Sequence, residues 1–222
     1  MKRLGVLAGL FTGTVLASLL MRGMIMAYTT EVVREGTITL EHYIPAQCNS
    51  DKKLLFVHSS GHGSWMWKNF LSYFAEKGYD AWAINLRGHH LSDPVEAWEE
   101  VGVAEYLEDI EQGLKRIGGE VVLIGHSMSG LLLLKYAESH QVAVLIVSQS
   151  GIPKAMMQKR GLLLEGPAPG KGQRAIEAGA ILSIKDRERV KALLFDDGNA
   201  EEETVDLVLK MMGKESARVG GE

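Results

Sequence analysis

The amino-acid sequence predicts an α/β fold built on an open, doubly wound and mostly parallel sheet. Short runs of continuous apolar residues, typical of strands buried on both faces, alternate with stretches of helical periodicity. The chain has 222 residues, of which 46% are hydrophobic, enough for one sizeable domain. Right-handed crossovers between successive strands then place helices on both faces of the sheet, with functional sites at the carboxyl ends of its strands.

The elements follow one another in a regular order. Residues 29–47 alternate in polarity around Glu35-Gly36, which predicts a β-hairpin. After residue 65 the apolar residues recur at helical spacing, which predicts a first helix that ends at Gly78. A second, amphipathic helix is predicted to end at Gly118, and a third is expected from about Gly130 to Ser139. Four apolar strands alternate with these helices, in the segments KKLLFVHSS, DAWAINLRGHH, VVLIGHS and VAVLIVSQSG.

The two ends of the chain differ from this core, which we place at residues 28–151. Residues 4–21 carry no charge, are mostly apolar and follow two cations, so residues 1–27 are predicted to be a signal peptide or a membrane anchor. The protein is accordingly expected to be membrane-anchored or secreted; a buried helix is the alternative. Residues 152–222 contain amphipathic helical stretches and no further strand run, which predicts a helical cap and a C-terminal tail.

Composition excludes several classes of function. The formal net charge of −4 gives no reason to expect a nucleic-acid partner. Cys48 is the one cysteine, so the chain can form no internal disulfide and has no CxxC metal pattern. No motif in the sequence implies a cofactor.

The segment GHSMSG indicates a nucleophilic serine. A sharp turn from strand to helix forces Ser127 into a strained backbone conformation, so the positions two before and two after it must lack bulk. Gly125 and Ser129 satisfy this requirement, between an apolar strand and an apolar helix. The helix N-terminus would direct the Met128 N–H toward a developing oxyanion.

Three motifs together resemble the α/β-hydrolase fold superfamily, in particular its esterases and hydroxynitrile lyases. They are LLFVHSSGHGSWMW, NLRGHHLSD and the nucleophile elbow GHSMSG. The resemblance implies that Ser127 is the nucleophile and that the backbone N–H groups of Ser60 and Met128 form an oxyanion hole. It also implies that His58 is a structural histidine that holds the oxyanion loop.

Three positions depart from the pattern of that superfamily. Ser59 replaces a usual glycine, Asn85 replaces an aspartate, and His90 replaces the second glycine of Arg-Gly-His-Gly. Hydroxynitrile lyases of this fold carry a threonine at the first of these positions, which keeps a lyase as an alternative function. None of the changes removes a catalytic group, but all three affect how the loops pack.

The triad that the resemblance implies lacks its base and its acid. The histidine should follow the last strand, yet no histidine follows His140. His62, His89 and His90 lie in loops at the correct edge of the sheet, and one of them reaching Ser127 is a minor alternative. A zinc site formed by these three with His58 is less favoured still, because nothing arranges the four tetrahedrally.

The acid is missing together with the strand that should carry it. Asp196 and Asp197 lie in a cap-like stretch, and two strand–helix units, about 60 residues, are expected beyond it. The sequence therefore predicts a chain without its C-terminal part, a residual rate acceleration of only about 10³-fold, and an exposed apolar edge on the strand VAVLIVS that invites a partner.

Two main functions remain. The first is a carboxylesterase-like serine hydrolase that acts on a small apolar ester or amide. Trp65, Trp67, Met128 and the leucines at 162–164 suggest an apolar pocket for that substrate. The second is a catalytically inactive binding or interaction protein on the same scaffold, with the lyase as a further alternative.

Overall fold

A computed structural model describes residues 27–151, 176–177, 180–181, 186–195 and 200–219. The apolar segment at residues 4–21, the leucines at 162–164, Asp196 and Asp197 lie outside these ranges. Among the helices within the described ranges, none combines the length and apolar character that crossing a bilayer requires.

The main sheet of the described residues has six strands, and three α-helices connect them. The strands are β1 Tyr28–Glu35, β2 Ile38–Pro45, β3 Lys53–Val57, β4 Ala81–Asn85, β5 Val121–His126 and β6 Val144–Ser148. The helices are α1 Lys68–Glu76, α2 Val103–Ile117 and α3 Met128–Ala137, and short 3₁₀ helices cover Ser64–Trp67 and Trp98–Glu100.

The spatial order of the strands is β1-β2-β4-β3-β5-β6. β1 and β2 form the predicted antiparallel hairpin, β2 pairs antiparallel with β4, and the remaining four strands are parallel. From β3 the chain first adds β4 on one side and later adds β5 on the other, which makes the β3–β5 boundary the topological switch point. Ligand sites of open α/β sheets form in the crevice at the carboxyl ends of such strands.

Helices cover both faces of the sheet, as the continuous apolar strands predict. Leu55 and Val57 of β3 belong to one core cluster, together with α2 and α3. Leu54 and Phe56 of the same strand belong to a second cluster, together with α1. Successive side chains of β3 therefore serve opposite cores, and the predicted doubly wound, mostly parallel α/β fold is confirmed.

The described residues after Gly151 are helical, with one correction. Helices α4 (Arg187–Leu194) and α5 (Glu202–Met211) correspond to the predicted amphipathic stretches and pack together through Val190, Val205 and Val208. The expectation of no further strand is wrong. Two-residue strands β7 (Ile176–Glu177), β8 (Ala180–Ile181) and β9 (Glu215–Ser216) form a small antiparallel sheet, too short for sequence periodicity to reveal.

Strand β6 lies at one edge of the main sheet and pairs only with β5 among the described residues. Val144, Ile146 and Val147 are 37%, 48% and 36% exposed, so apolar side chains are accessible on both faces of this strand. The sequence predicted this exposed apolar edge. An unpaired apolar edge strand is a template for pairing with another chain.

We expect the substitution Ile146→Lys to weaken self-association of the 222-residue chain. A lysine at the β6 edge would place like charges together in any edge-to-edge pair, raising the dimer dissociation constant about tenfold, equivalent to about 1.4 kcal/mol. Light scattering after size exclusion at several protein concentrations measures this. Val32→Lys is the matched control, since Val32 is 57% exposed on β1 at the opposite edge. An unchanged dissociation constant in Ile146→Lys would show that β6 is not the contact.

Candidate active site

The predicted nucleophile lies at the topological switch point. β3 and β5 are parallel neighbours, with Val57 opposite Gly125. The loop after β3, residues 58–62, therefore emerges beside the turn after β5, which contains Ser127. We call residues 58–62 the oxyanion loop.

Ser127 has the strained backbone that the motif predicts. Its φ of 57° and ψ of −115° lie in a region that non-glycine residues rarely adopt. The Ser127 N–H donates to the Ser148 carbonyl at 3.0 Å, and its carbonyl accepts from the Gly130 N–H at 3.1 Å. Strain of this kind persists only where the surrounding structure enforces it, and it concentrates at functional sites.

The two small residues that flank Ser127 are explained by close contacts. A Cβ added at Gly125 would lie 2.8 Å from Leu133 Cδ1 and 2.9 Å from the carbonyl of Ser129. Ser129 is fully buried, and its hydroxyl donates to the Val57 carbonyl at 2.8 Å and accepts from the His126 N–H at 2.9 Å. Ser129 thus ties the turn to the end of β3.

The two predicted oxyanion donors border this turn. Helix α3 begins at Met128, so the Met128 N–H is one of the amides that a helix N-terminus leaves without an intrahelical acceptor. Within the described residues no acceptor takes the Ser60 N–H either. As far as the described residues go, both groups are available to donate to a bound oxygen atom.

His58 has the structural role that the resemblance implies. Its side chain is fully buried, its Nδ1 donates to the Ser59 carbonyl at 2.8 Å, and its Nε2 accepts from the Leu86 N–H at 3.2 Å. These bonds fix a neutral tautomer that links the oxyanion loop to the end of β4. Burial lowers the pKa of His58 to about 3.

The side chains of His62 and His126 hydrogen-bond to groups other than the Ser127 hydroxyl. The His62 Nδ1 donates to the Ser60 carbonyl at 2.8 Å, and its ring stacks on Trp65 with centroids 5.1 Å apart. Burial lowers the pKa of His62, which keeps this ring neutral near pH 7. The His126 Nε2 lies 3.1 Å from Gln149 Oε1.

Neither His89 nor His90 contacts Ser127. His89 is fully buried, with Nδ1 2.9 Å from the Arg87 carbonyl and Nε2 3.3 Å from Glu215 Oε2. The His90 Nε2 lies 3.7 Å from Glu41 Oε1. In the part of the chain that the structure describes, no histidine hydrogen-bonds to the Ser127 hydroxyl, and no three His, Cys, Asp or Glu side chains are grouped to hold a metal ion.

The three departures from the superfamily pattern are accommodated locally. Ser59 is buried without a positive φ, so its Cβ causes no backbone strain. Asn85 uses both ends of its amide, accepting from the Ser64 N–H at 2.6 Å and donating to Thr39 Oγ1 at 3.1 Å. His90 has a φ of 46°, in the left-handed region that favours glycine.

Sequence reasoning missed one residue at this site, Glu215. It lies on β9 and is 5% exposed, yet its Oε2 accepts from the Gly61 N–H of the oxyanion loop at 3.1 Å. The surrounding stretch KESARVGGE has neither periodicity nor a motif. No signal in the sequence could have linked it to a loop 154 residues earlier.

Comparisons with known proteins agree with this architecture. A probable esterase, PIR7A, of Oryza sativa subsp. indica is 33% identical over 86 residues, covering 37% of this chain and 32% of that protein. Epoxide hydrolase 1 of Caenorhabditis elegans is 27% identical over 100 residues, covering 45% of this chain and 24% of that protein. This chain therefore matches less than a third of the length of either curated relative.

Structure and family comparisons extend the match over most of the chain. The thioesterase domain from the curacin biosynthetic pathway superposes with a TM-score of 0.55 at 17% identity, covering 87% of this chain and 70% of that domain. At this identity the superposition supports the fold alone. Residues 54–213 match the alpha/beta hydrolase family, more than half of the 222 residues. The chain belongs to the alpha/beta hydrolase family.

Proposed function

We propose that this chain is a serine hydrolase that forms an acyl-enzyme at Ser127 from a small apolar ester or amide. The strained turn at the switch point carries the proposal, because a serine held at φ of 57° between β5 and α3 has few other uses. The hydroxyl oxygen attacks the carbonyl carbon, the alcohol or amine leaves with a proton, and water later releases the acid.

The backbone amides of Ser60 and Met128 are the proposed oxyanion donors. The negative charge of the tetrahedral intermediate would form on the former carbonyl oxygen, and preorganised N–H groups stabilise such charge by a few kcal/mol each. The dipole of α3 adds positive potential at the same place. Both donors belong to the backbone, so their positions depend on the loops rather than on side-chain rotamers.

The substrate class rests on the surroundings of the turn. Trp65 and Trp67 occupy the 3₁₀ helix that follows the oxyanion loop, and the ring of Trp67 lies 6.4 Å from that of His126, beside Ser127. Apolar rings at this position favour an apolar acyl or alcohol group. The rice relative, a probable esterase by name, supports ester hydrolysis.

A fluorophosphonate probe tests the proposal, since such probes phosphonylate activated serines. We expect the folded 222-residue chain to be labelled at Ser127, as mapped by peptide mass spectrometry, and the variant Ser127→Ala to lose at least about 99% of the labelling, in line with loss of a nucleophile. Ser139→Ala, at an exposed serine at the end of α3, is the control and should label like the wild type. Absence of labelling in a folded chain, or equal labelling of Ser127→Ala, would favour the binding protein instead.

A further inference from the structure

Glu215 is a buried carboxylate whose oxygen atoms are fully engaged. Oε2 accepts from the Gly61 N–H at 3.1 Å and lies 3.3 Å from the Nε2 of His89. Oε1 accepts from the hydroxyl of Tyr106 and from the Ser216 N–H at 2.8 Å. Glu215 is 5% exposed, and burying a charge is costly unless it is paired and hydrogen-bonded. Its carboxylate contacts three hydrogen-bond donors and the ring of His89, which offset that cost.

Glu215 and His89 form a close buried pair. The Nδ1 of His89 donates to the Arg87 carbonyl at 2.9 Å, and its Nε2 lies 3.3 Å from the Glu215 carboxylate, within ion-pair distance but without hydrogen-bond geometry. Burial is the largest single effect and lowers the pKa of His89, but the interaction with Glu215, the Arg87 carbonyl and the charge of Asp109 together outweigh burial and raise it. Burial would likewise raise the pKa of Glu215, but His89 and the hydroxyl of Tyr106 lower it to about 2.

The same C-terminal segment holds the oxyanion loop at two points. While the Gly61 N–H donates to Glu215, the Gly61 carbonyl accepts from the Gly213 N–H at 2.9 Å. Gly61 has φ of 68°, and a Cβ there would lie 3.1 Å from the Gly213 carbonyl, so the two backbones are in close contact. Both polar groups of Gly61 are fixed by residues that come more than 150 positions later.

This clamp determines where the neighbouring amide can point. Gly61 directly follows Ser60, and the Ser60 carbonyl is itself held by His62 Nδ1 at 2.8 Å. With the Gly61 N–H turned to Glu215, the Ser60 N–H is left as the donor that no described acceptor takes. Loss of the carboxylate would remove one of the two bonds that fix the Ser60–Gly61 peptide, and through the backbone dihedrals of Ser60 it would loosen the preceding Ser59–Ser60 peptide, which carries the Ser60 N–H.

We propose that Glu215, paired with His89, is a positioning residue that holds the oxyanion loop so that the Ser60 N–H faces the nucleophile Ser127. This inference rests on the proposed function. Glu215 touches neither Ser127 nor any reacting atom, and it acts through the Gly61 amide. The segment after α5 is thereby part of the catalytic machinery.

The test compares Glu215→Gln with the wild type in the full 222-residue chain, using the saturable kinetics of fluorophosphonate labelling. We expect the maximal labelling rate to fall about tenfold or more, because one oxyanion donor is misplaced, while the probe concentration at half-saturation stays within about twofold. Glu111→Gln is the matched control, since Glu111 is an exposed glutamate on α2 paired with Lys115, and it should keep the wild-type rate. A purely structural role for Glu215 would lower stability without this selective loss of rate.

A second variant covers the case in which Glu215→Gln does not fold. Tyr106→Phe removes only the hydroxyl that donates to Glu215, and we expect the maximal rate to fall about threefold, from one lost hydrogen bond to a charged group. A folded Glu215→Gln or Tyr106→Phe chain that labels at the wild-type rate overturns the inference, while labelling of the wild type at Ser127 still upholds the proposed function. Failure of the folded wild-type chain to be labelled at Ser127 would contradict the proposed function itself.

Discussion

His58 alone should lower the free energy of unfolding by about 4 kcal/mol as the pH falls from 7 to 3, because its side chain is buried in the neutral form. Its pKa in the folded chain is about 3, against an ordinary value near 6.5 in the unfolded chain. The unfolded state therefore binds a proton on His58 that the folded state does not bind, which costs up to about 1.4 kcal/mol of stability per pH unit between the two pKa values.

Other groups change this profile in known directions. His62, with a pKa also lowered by burial, adds to the loss of stability below pH 6.5. His89 acts in the opposite sense, because its pKa is raised in the folded chain. Its contribution to the free energy of unfolding is complete below pH 6.5 and is lost as the pH rises further. The contribution of Glu215 is present above about pH 4.5 and is lost as the pH falls toward its folded pKa of about 2. The loss between pH 6.5 and 4.5 is thus mainly that of His58 and His62.

Urea unfolding at half-unit steps between pH 7 and pH 3 measures this profile. The variant His58→Gln carries no titratable group at this position. The number of protons taken up on unfolding should therefore be smaller by about one than in the wild type, and its stability should depend less steeply on pH. It is expected to be less stable at pH 7, because the bonds to the Ser59 carbonyl and the Leu86 N–H are weakened. An equally steep dependence of stability on pH in His58→Gln would show that another group with a lowered pKa causes it.

The sequence contains most of the information about the sheet, because local patterns specify it. Continuous apolar runs predicted β3 to β6 and their parallel pairing, and alternation around Gly36 predicted the β1–β2 hairpin. Helix α3 begins at Met128 rather than near Gly130, because the strained turn ends at Ser127 and the helix follows at once. The strands β7 to β9 were missed, since two residues per strand carry no period.

The site could be predicted only where it is local in sequence. Ser127, Gly125 and Ser129 lie within five positions, so their spacing reports the turn directly. The role of His58 came from resemblance and agrees with its two hydrogen bonds. Glu215 is different, since each of its contacts with Gly61, His89 and Tyr106 spans more than 100 residues and exists only in the folded chain.

The substitution Gly125→Ala is expected to disable the serine turn and to lower the free energy of unfolding by about 3 kcal/mol, as overpacking of a tight core site does. The new Cβ would lie 2.8 Å from Leu133 Cδ1 and 2.9 Å from both the carbonyl carbon and the oxygen of Ser129. Real Cβ atoms do not approach this closely, and two of the three obstacles are backbone atoms of the helix that begins at Met128. The helix must therefore move away from β5.

Because the first turn of α3 moves, reactivity should fall further than stability does. The hydroxyl of Ser127 and the N–H of Met128 both depend on that turn, so fluorophosphonate labelling of folded Gly125→Ala should drop by about 100-fold, the loss typical of one misplaced oxyanion donor. Ser139→Ala is the control, because Ser139 is an exposed serine beyond the C-terminal end of α3. Its stability should change by less than about 0.5 kcal/mol, and its labelling should match the wild type. If both variants label equally, the contact between Gly125 and Ser129 does not maintain the turn, and the strain at Ser127 must be enforced from the Ser148 side.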